Sequence, residues 1–271
     1  MKKFISLLMV LLMLCSTLFA VACADDDDDD DDDGVKKTAG ELVKASLEKT
    51  QNLDCYHVLM TQNILIQMQG VSIEAPITVD IRVEGANTAS PKIYSNQTVQ
   101  MMGESTNMEL YIEGDYAYAN VDGEKQKISL SEFGADANNI MYNKSIEELL
   151  QVLPEDVLKD VKVNTNDKNE KYVDVEFDPA KFLQIYEESI EGLSTELGVS
   201  IENVTISDSK VKIVVDKNGY VKEYTLTYKM SIDIMGQQAE ADVELKLEYV
   251  EPGNPVAVSP MEDYLDYPSG N

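Results

Sequence analysis

From Ser72 to Glu84 the chain switches between polar and apolar at almost every step. Ile73, Ala75, Ile77, Val79, Ile81 and Val83 alternate with Ser72, Glu74, Thr78, Asp80, Arg82 and Glu84. A period of two with one polar face specifies a strand buried on one side and wet on the other, as in antiparallel sheets. The pattern recurs. Tyr56, Val58, Met60, Ile64, Ile66 and Met68 share one face of an earlier run, against His57, Thr61, Asn63 and Gln67. Tyr224, Leu226, Tyr228, Met230, Ile232 and Ile234 share another, and Ala241, Val243, Leu245 and Leu247 a fourth. These runs are about 10–14 residues long, against the usual 5–6. Strands of that length twist strongly, so a sheet with one apolar face curls around whatever covers it. Gly70, Gly103-Glu104, Gly114-Asp115 and Asp122-Gly123 punctuate a meander that runs to about Ser129, and Asn218-Gly219 is the strongest hairpin signal in the chain.

Three segments change period. Thr38-Ala39-Gly40-Glu41 is a capping box opening a helix to about Asn52, with Leu42, Val43, Leu47 and Leu53 toward the core. Ser145-Ile146-Glu147-Glu148 opens a second, with Leu149, Leu150 and Leu153 on one side, and Pro154 begins a short turn ending near Val161. A strand around Tyr172 to Phe177 leads into Asp178-Pro179, an N-cap with proline at the first helical position. The helix that follows places Phe182, Ile185, Tyr186, Ile190 and Leu193 on one stripe. The expected fold class is α+β: a long, strongly curved antiparallel sheet, a half-barrel, with helices packed in its concave face. The domain is expected over residues 38–260, followed by an acidic flexible tail over 261–271.

The N-terminus is of another kind. Lys2 and Lys3 precede the apolar run Phe4 to Leu14 and a less apolar stretch to Ala22, the pattern of a secretory signal over residues 1–22. Ala20-Val21-Ala22-Cys23 resembles the lipobox of bacterial lipoproteins, with Ala20 where leucine is usual. The resemblance implies that Cys23 is acylated, with palmitate or a similar chain, and becomes the first residue of the mature protein. Cys23 would then tether the body to the outer face of the bacterial cytoplasmic membrane. An uncleaved membrane anchor is the alternative, since Phe4 to Ala22 is nearly long enough to span. Both put the rest of the chain outside the cytoplasm. The nine aspartates Asp25 to Asp33 repel one another and stay solvated. Residues 23–37 therefore read as a stand-off tether, reaching roughly 45–50 Å when extended.

The chain carries 22 basic and 50 acidic residues, a net charge of −28. A field of that sign argues against nucleic acid and against adsorption to anionic lipid. Arg82 is the single arginine, so there is no phosphate-binding cluster. Of the three cysteines, Cys15 leaves with the signal and Cys23 carries lipid, which leaves Cys55 without a disulfide partner. His57 is the single histidine, on the polar face of its strand and without a nucleophile motif. With Cys55 it makes half a zinc site. Asp216-Lys217-Asn218-Gly219 lacks the remaining ligands of a calcium loop. No catalytic residue, metal or cofactor is expected.

The order of N-terminal helix, long meander, helical insertion and returning hairpins, all behind a lipobox, resembles the LolA/LppX superfamily of bacterial lipoprotein and lipid carriers. In particular it resembles the uncharacterised LolA-like lipoproteins of Gram-positive bacteria. The residues carrying this are Leu110 to Tyr118 with Asp122-Gly123, and the closing run Asn254 to Pro260. The resemblance implies an apolar cavity between sheet and helices and a lipid or lipopeptide ligand. The alternation nominates its lining: Leu47, Met60, Ile64, Ile77, Val79, Ile81, Met108, Leu110, Phe182, Ile185, Tyr186, Tyr224, Leu226, Tyr228, Val243 and Leu245. Flexible methionines such as Met60, Met68, Met108 and Met230 suit an adaptable cavity, although core filling is the commoner role for any one of them. The rival expectation is a cell-surface interaction or sensor module with a filled interior. A monomer is expected.

Overall fold

Thr38, the first described residue, carries the cap that its sequence specifies. Its hydroxyl accepts a hydrogen bond from the Glu41 amide at 3.3 Å, while its own amide donates to Glu41 Oε2 at 2.7 Å. The reciprocal bonds satisfy two otherwise orphaned groups, and helix α1 (Ala39–Gln51) runs from there. The structure is a computed structural model and describes residues 38–88, 90–130, 161–176, 179–180, 183, 201–234 and 236–269. The expected signal, Cys23, the aspartate tether, the helix expected from Ser145 and most of the one expected from Pro179, including Phe182, Ile185 and Tyr186, lie outside the described residues; Pro179, Ala180 and Leu183 are helical.

The described strands form one sheet. Seven strands form the N-terminal meander: β1 (Cys55–Met68), β2 (Val71–Glu74), β3 (Ile77–Glu84), β4 (Lys92–Met101), β5 (Glu104–Glu113), β6 (Tyr116–Val121) and β7 (Glu124–Ser129). The later strands are β8 (Asn164–Thr165), β9 (Lys171–Glu176), β10 (Ile201–Val215), β11 (Val221–Ile234) and β12 (Gln237–Tyr249). The order is β7-β6-β5-β4-β3-β1-β12-β11-β10-β9-β8, with β2 also on β1. All named pairs are antiparallel, and among the described residues no pair joins β7 to β8, so the half-barrel they form is open. The first and last long strands, β1 and β12, lie side by side at its centre, from Val58 opposite Tyr249 to Met68 opposite Ala239.

The alternating run at 72–84 is expected as one strand and is found as two. Leu65 faces Glu74 and Gln62 faces Ile77, so β2 and β3 keep one register on β1 across the break. Pro76 has no amide hydrogen to offer the ladder and interrupts it there without shifting it.

Curl has a local cause in β10. Its pairing with β11 slips by one residue between Glu202 and Thr205 and again between Ser207 and Lys210. Asn203 and Asp208 sit there in left-handed conformation, both at φ 53°. Each bulge places an extra residue on β10, which bends the strand and increases its twist. Asn203 Nδ2 donates to Asp233 Oδ2 at 2.7 Å, and Lys229 pairs with Asp208 at 3.1 Å, holding the bulged side chains to β11.

One face of the sheet is the main core. Across it Val79, Met60, Leu247, Tyr224, Ile213 and Val173 stand opposite one another strand by strand, all buried. Helix α1 adds Leu42, Val43 and Leu47 to the same cluster and lies against β10 and β11. Ser46 and Thr50, buried on α1, return their hydroxyls to Leu42 and Ser46 carbonyls at 2.7 and 2.6 Å. Thr50 Oγ1 also accepts the Val221 amide at 2.8 Å, tying helix to sheet.

The C-terminal segment departs from expectation. Residues 261–269 do not trail away as a flexible tail; they strap across the opposite face of β4–β7. Tyr111, Tyr118, Val258, Met261 and Tyr267 form a second buried cluster there, joined by Tyr94 and Tyr264. A short 3₁₀ turn (Tyr264–Asp266) sets its tyrosines over the sheet, with the Tyr118 and Tyr264 rings 4.8 Å apart edge to face. The Lys127 amide donates to Pro268 O at 2.8 Å, so the strap also satisfies part of the β7 edge. Three buried tyrosines and two half-buried ones between sheet and strap outweigh the acidic character of the segment.

Candidate functional site

The nominated lining gathers as one wall. Met60 and Ile64 on β1, Ile77, Val79 and Ile81 on β3, Tyr224, Leu226 and Tyr228 on β11, and Val243 and Leu245 on β12 all belong to the main cluster, with Leu47 from α1. None is more than 7% exposed. Period two puts them on this face, and the unshifted β12–β1–β3 registers stack them into rows. The remaining two thin out toward the wing. Leu110 is partly buried against the cluster. Met108 shares the face but is half-buried, in the row Val79, Gln97, Met108 and Val121, where Val121 is 37% exposed. Phe182, Ile185, Tyr186 and Cys23 lie outside the described residues.

The wall is not wholly apolar. Gln62, 1% exposed, sits between Ile77 and Leu245. The alternation passes it over because it is polar, yet its even position between Met60 and Ile64 on β1 is the signal that places it inward. The Tyr56, Tyr224 and Tyr228 rings also turn in, and Tyr56 lies 6.3 Å from Tyr249. Burial, with the Tyr56 hydroxyl nearby, pushes the Tyr249 pKa well above the phenolic range. The wall therefore combines broad apolar area with a few polar groups at fixed positions.

The opposite face is polar. His57 Nε2 lies 3.0 Å from Asp80 Oδ1, and Arg82 Nη2 is 3.1 Å from Asp80 Oδ2. The single histidine and single arginine thus share one carboxylate on neighbouring strands. Cys55 is half-buried; its Sγ accepts the Val256 amide at 3.4 Å. Among the described residues no group of three His, Cys, Asp or Glu side chains could hold a metal ion. A groove of about 860 Å³ crosses this face near Pro76 and the Asp208 bulge, over Asn63, Leu65, Lys229 and Asp242. A second hollow of about 570 Å³ lies between the sheet and the strap, over Asp80, Glu109 and Lys125 and under Met261 and Tyr267.

A family model, "Family of unknown function (DUF6612)", matches residues 38–254, from the helix cap to the turn after β12. The chain belongs to DUF6612. No curated protein matches it. Among solved structures the DUF6612 chain is similar to LprF from Mycobacterium bovis, at 16% identity and TM-score 0.40, over 82% of this chain and 96% of that one. It is also similar to a DUF1329 family protein from Desulfovibrio piger, at 9% identity and TM-score 0.26, over 79% and 92%. A third is a domain from Vibrio parahaemolyticus described as an outer membrane lipoprotein-sorting protein, at 8% identity and TM-score 0.24, over 80% and 94%. No ligand or activity is carried over from them.

Proposed function

We propose that this DUF6612 protein is a lipid-anchored, extracytoplasmic binding protein that holds a lipid or acylated molecule against the inner wall of its half-barrel. The observation that carries the reading is the wall itself: rows of Ile, Val, Leu, Met and Tyr unbroken across six strands from β3 to β9, marked by Gln62. A surface of this kind binds by removing acyl chain from water, about 0.8 kcal/mol per buried methylene, and needs no catalytic step. The N-terminal pattern supports the anchor: Cys23 would carry the acyl group, and the aspartate run would hold the body away from anionic headgroups.

A specific observation favours a second reading. None of the described lining residues that form the wall is more than 7% exposed, which fits an interior filled by the protein's own side chains, with any partner on the outer face. Mass spectrometry of organic extracts from residues 34–271, purified without detergent, separates the two. A stoichiometric lipid, lost in Leu226→Asp protein that still folds, supports the lipid reading. A folded body that is empty and ignores added fatty acids and phospholipids overturns it in favour of the filled interior.

A further inference from the structure

On the outer face, under the strap, five polar side chains stand in one row across five strands. Asp80, Asn96, Glu109, Asn120 and Lys125 face one another in register on β3, β4, β5, β6 and β7. The same strands carry tyrosines one row away, so the polarity of this row is not a general property of the wing. Its geometry is fixed by its neighbours. Tyr94 donates its hydroxyl to Glu109 Oε1 at 3.1 Å, and Asn120 Nδ2 donates to Glu109 Oε2 at 3.0 Å. The Gly123 amide donates to Asn120 Oδ1 at 3.0 Å, which sets the direction of that carboxamide. Arg82 Nη2 holds Asp80 Oδ2 and His57 Nε2 lies 3.0 Å from Asp80 Oδ1, yet Arg82 Nε is shielded from water without a hydrogen bond of its own. Burial, then the hydrogen bond and charge of Glu109, raise the Tyr94 pKa, so its hydroxyl stays a donor.

The row floors the hollow of about 570 Å³ roofed by Pro260, Met261 and Tyr267, inside the range of roughly 300–1,000 Å³ typical of ligand clefts. Buried polar groups are normally paired, so a preformed hollow whose lining Arg82 keeps its Nε unpaired is shaped for something that pairs it. We propose that this hollow is a ligand site distinct from the inner wall, and that it takes a short stretch of carbohydrate.

The chemistry selects that class. The carboxylates of Asp80, Glu109 and Glu262 are offset by Arg82 and Lys125, so neither a strong anion nor a multivalent cation finds one dominant sign. Planar carboxylate, carboxamide and guanidinium groups accept from and donate to adjacent hydroxyls of a sugar ring in pairs. The thioether of Met261 and the ring of Tyr267 offer an apolar surface to its C–H face. The site stands whether or not the inner wall takes a lipid, because it lies on the other side of the sheet.

The test titrates the full-length chain in detergent with tri-N-acetylchitotriose, maltotriose and a neutral tetrapeptide. The side-chain amide resonances of Asn96 and Asn120 are followed by NMR. Expected is saturable movement of both with at least one saccharide, weakened tenfold or more by Asn96→Ala and by Glu109→Gln, with thermal midpoints showing that both variants fold. Lys229→Ala, in the other outer groove, binds as the unchanged protein does. The proposal is overturned if no saccharide moves these amides at millimolar concentration, if the peptide moves them instead, or if binding survives both substitutions.

Discussion

The centre of this sheet is dry on one face, and its β5–β6 wing on both. In the central strands β3, β1, β12 and β11 the buried side chains point inward, and the outer positions carry Asp80, Thr61, Glu244 and Thr227. In the wing β5–β6 the large rings of Tyr111 and Tyr118 point outward, buried under the strap, while the inner face keeps Ile112 and Ala117 buried and leaves Val121 37% exposed. The backbone alternation is the same in both. What differs is the cover, so period two tells which residues lie together and leaves open which face is dry.

Reversing polarity in the centre breaks that contrast most severely. Ile81→Lys puts a charge where the side chain is 0% exposed and is expected to cost more than about 4 kcal/mol or to abolish folding. The same change at Leu59, on the outer face of β1 opposite Asp80 and Glu248, is expected to stay within about 0.5 kcal/mol. Urea midpoints read both, and comparable losses at the two positions would end the one-face account of the centre.

In the wing the order inverts. Tyr118→Ala should cost about 2–4 kcal/mol by opening the tyrosine cluster, and Val121→Ala on the inner face less than about 1 kcal/mol. Hydrogen exchange sharpens the point: Tyr118→Ala should speed exchange in β6 and β7 and leave β11 and β12 protected. Uniform loss of protection would mean that the strap and the central core are one cooperative unit.

The smallest effect joins the wings. Burial first, then the Glu113 charge and hydrogen bond, raise the Tyr111 pKa well above the phenolic range; burial, with Tyr56, does the same for Tyr249. Folded-state values raised above the unfolded value of about 10 give stability that is fully present below pH 10 and lost as pH rises further. Tyrosinate absorbance should therefore show these phenols ionising together with alkaline unfolding. Their ionisation near pH 10 in protein that remains folded would place both rings in contact with water.

Much of this was legible from residue order. The Thr38 box, the glycine turns and the inner rows of β1, β3, β11 and β12 follow from local chemistry, and so does the wall they compose. Three features needed the assembled chain. The bulges at Asn203 and Asp208 break the period in β10, where left-handed Asn and Asp do the work expected of glycine. The strap reads as acidic because its sequence neighbours are acidic; its tyrosines gain their burial from strands more than a hundred residues earlier. The outer hollow draws residues from five strands and the strap, a juxtaposition no single stretch displays. Gln62 was hidden for a simpler reason, since a polar residue in an inward position looks like a fault in the pattern.

The central seam has a consequence for how the chain comes to be folded. Strand β1 is among the first to leave the ribosome or an export channel, and its partner β12 is among the last. The meander β3 to β7 can close by local hairpins while synthesis continues, but β1 keeps an open hydrogen-bonding edge until Tyr249 arrives. Folding is thus held to the pace of its most distant pairing. A chain stopped short of β12 would present a long, half-apolar strand to its neighbours, the kind of edge from which aggregation starts.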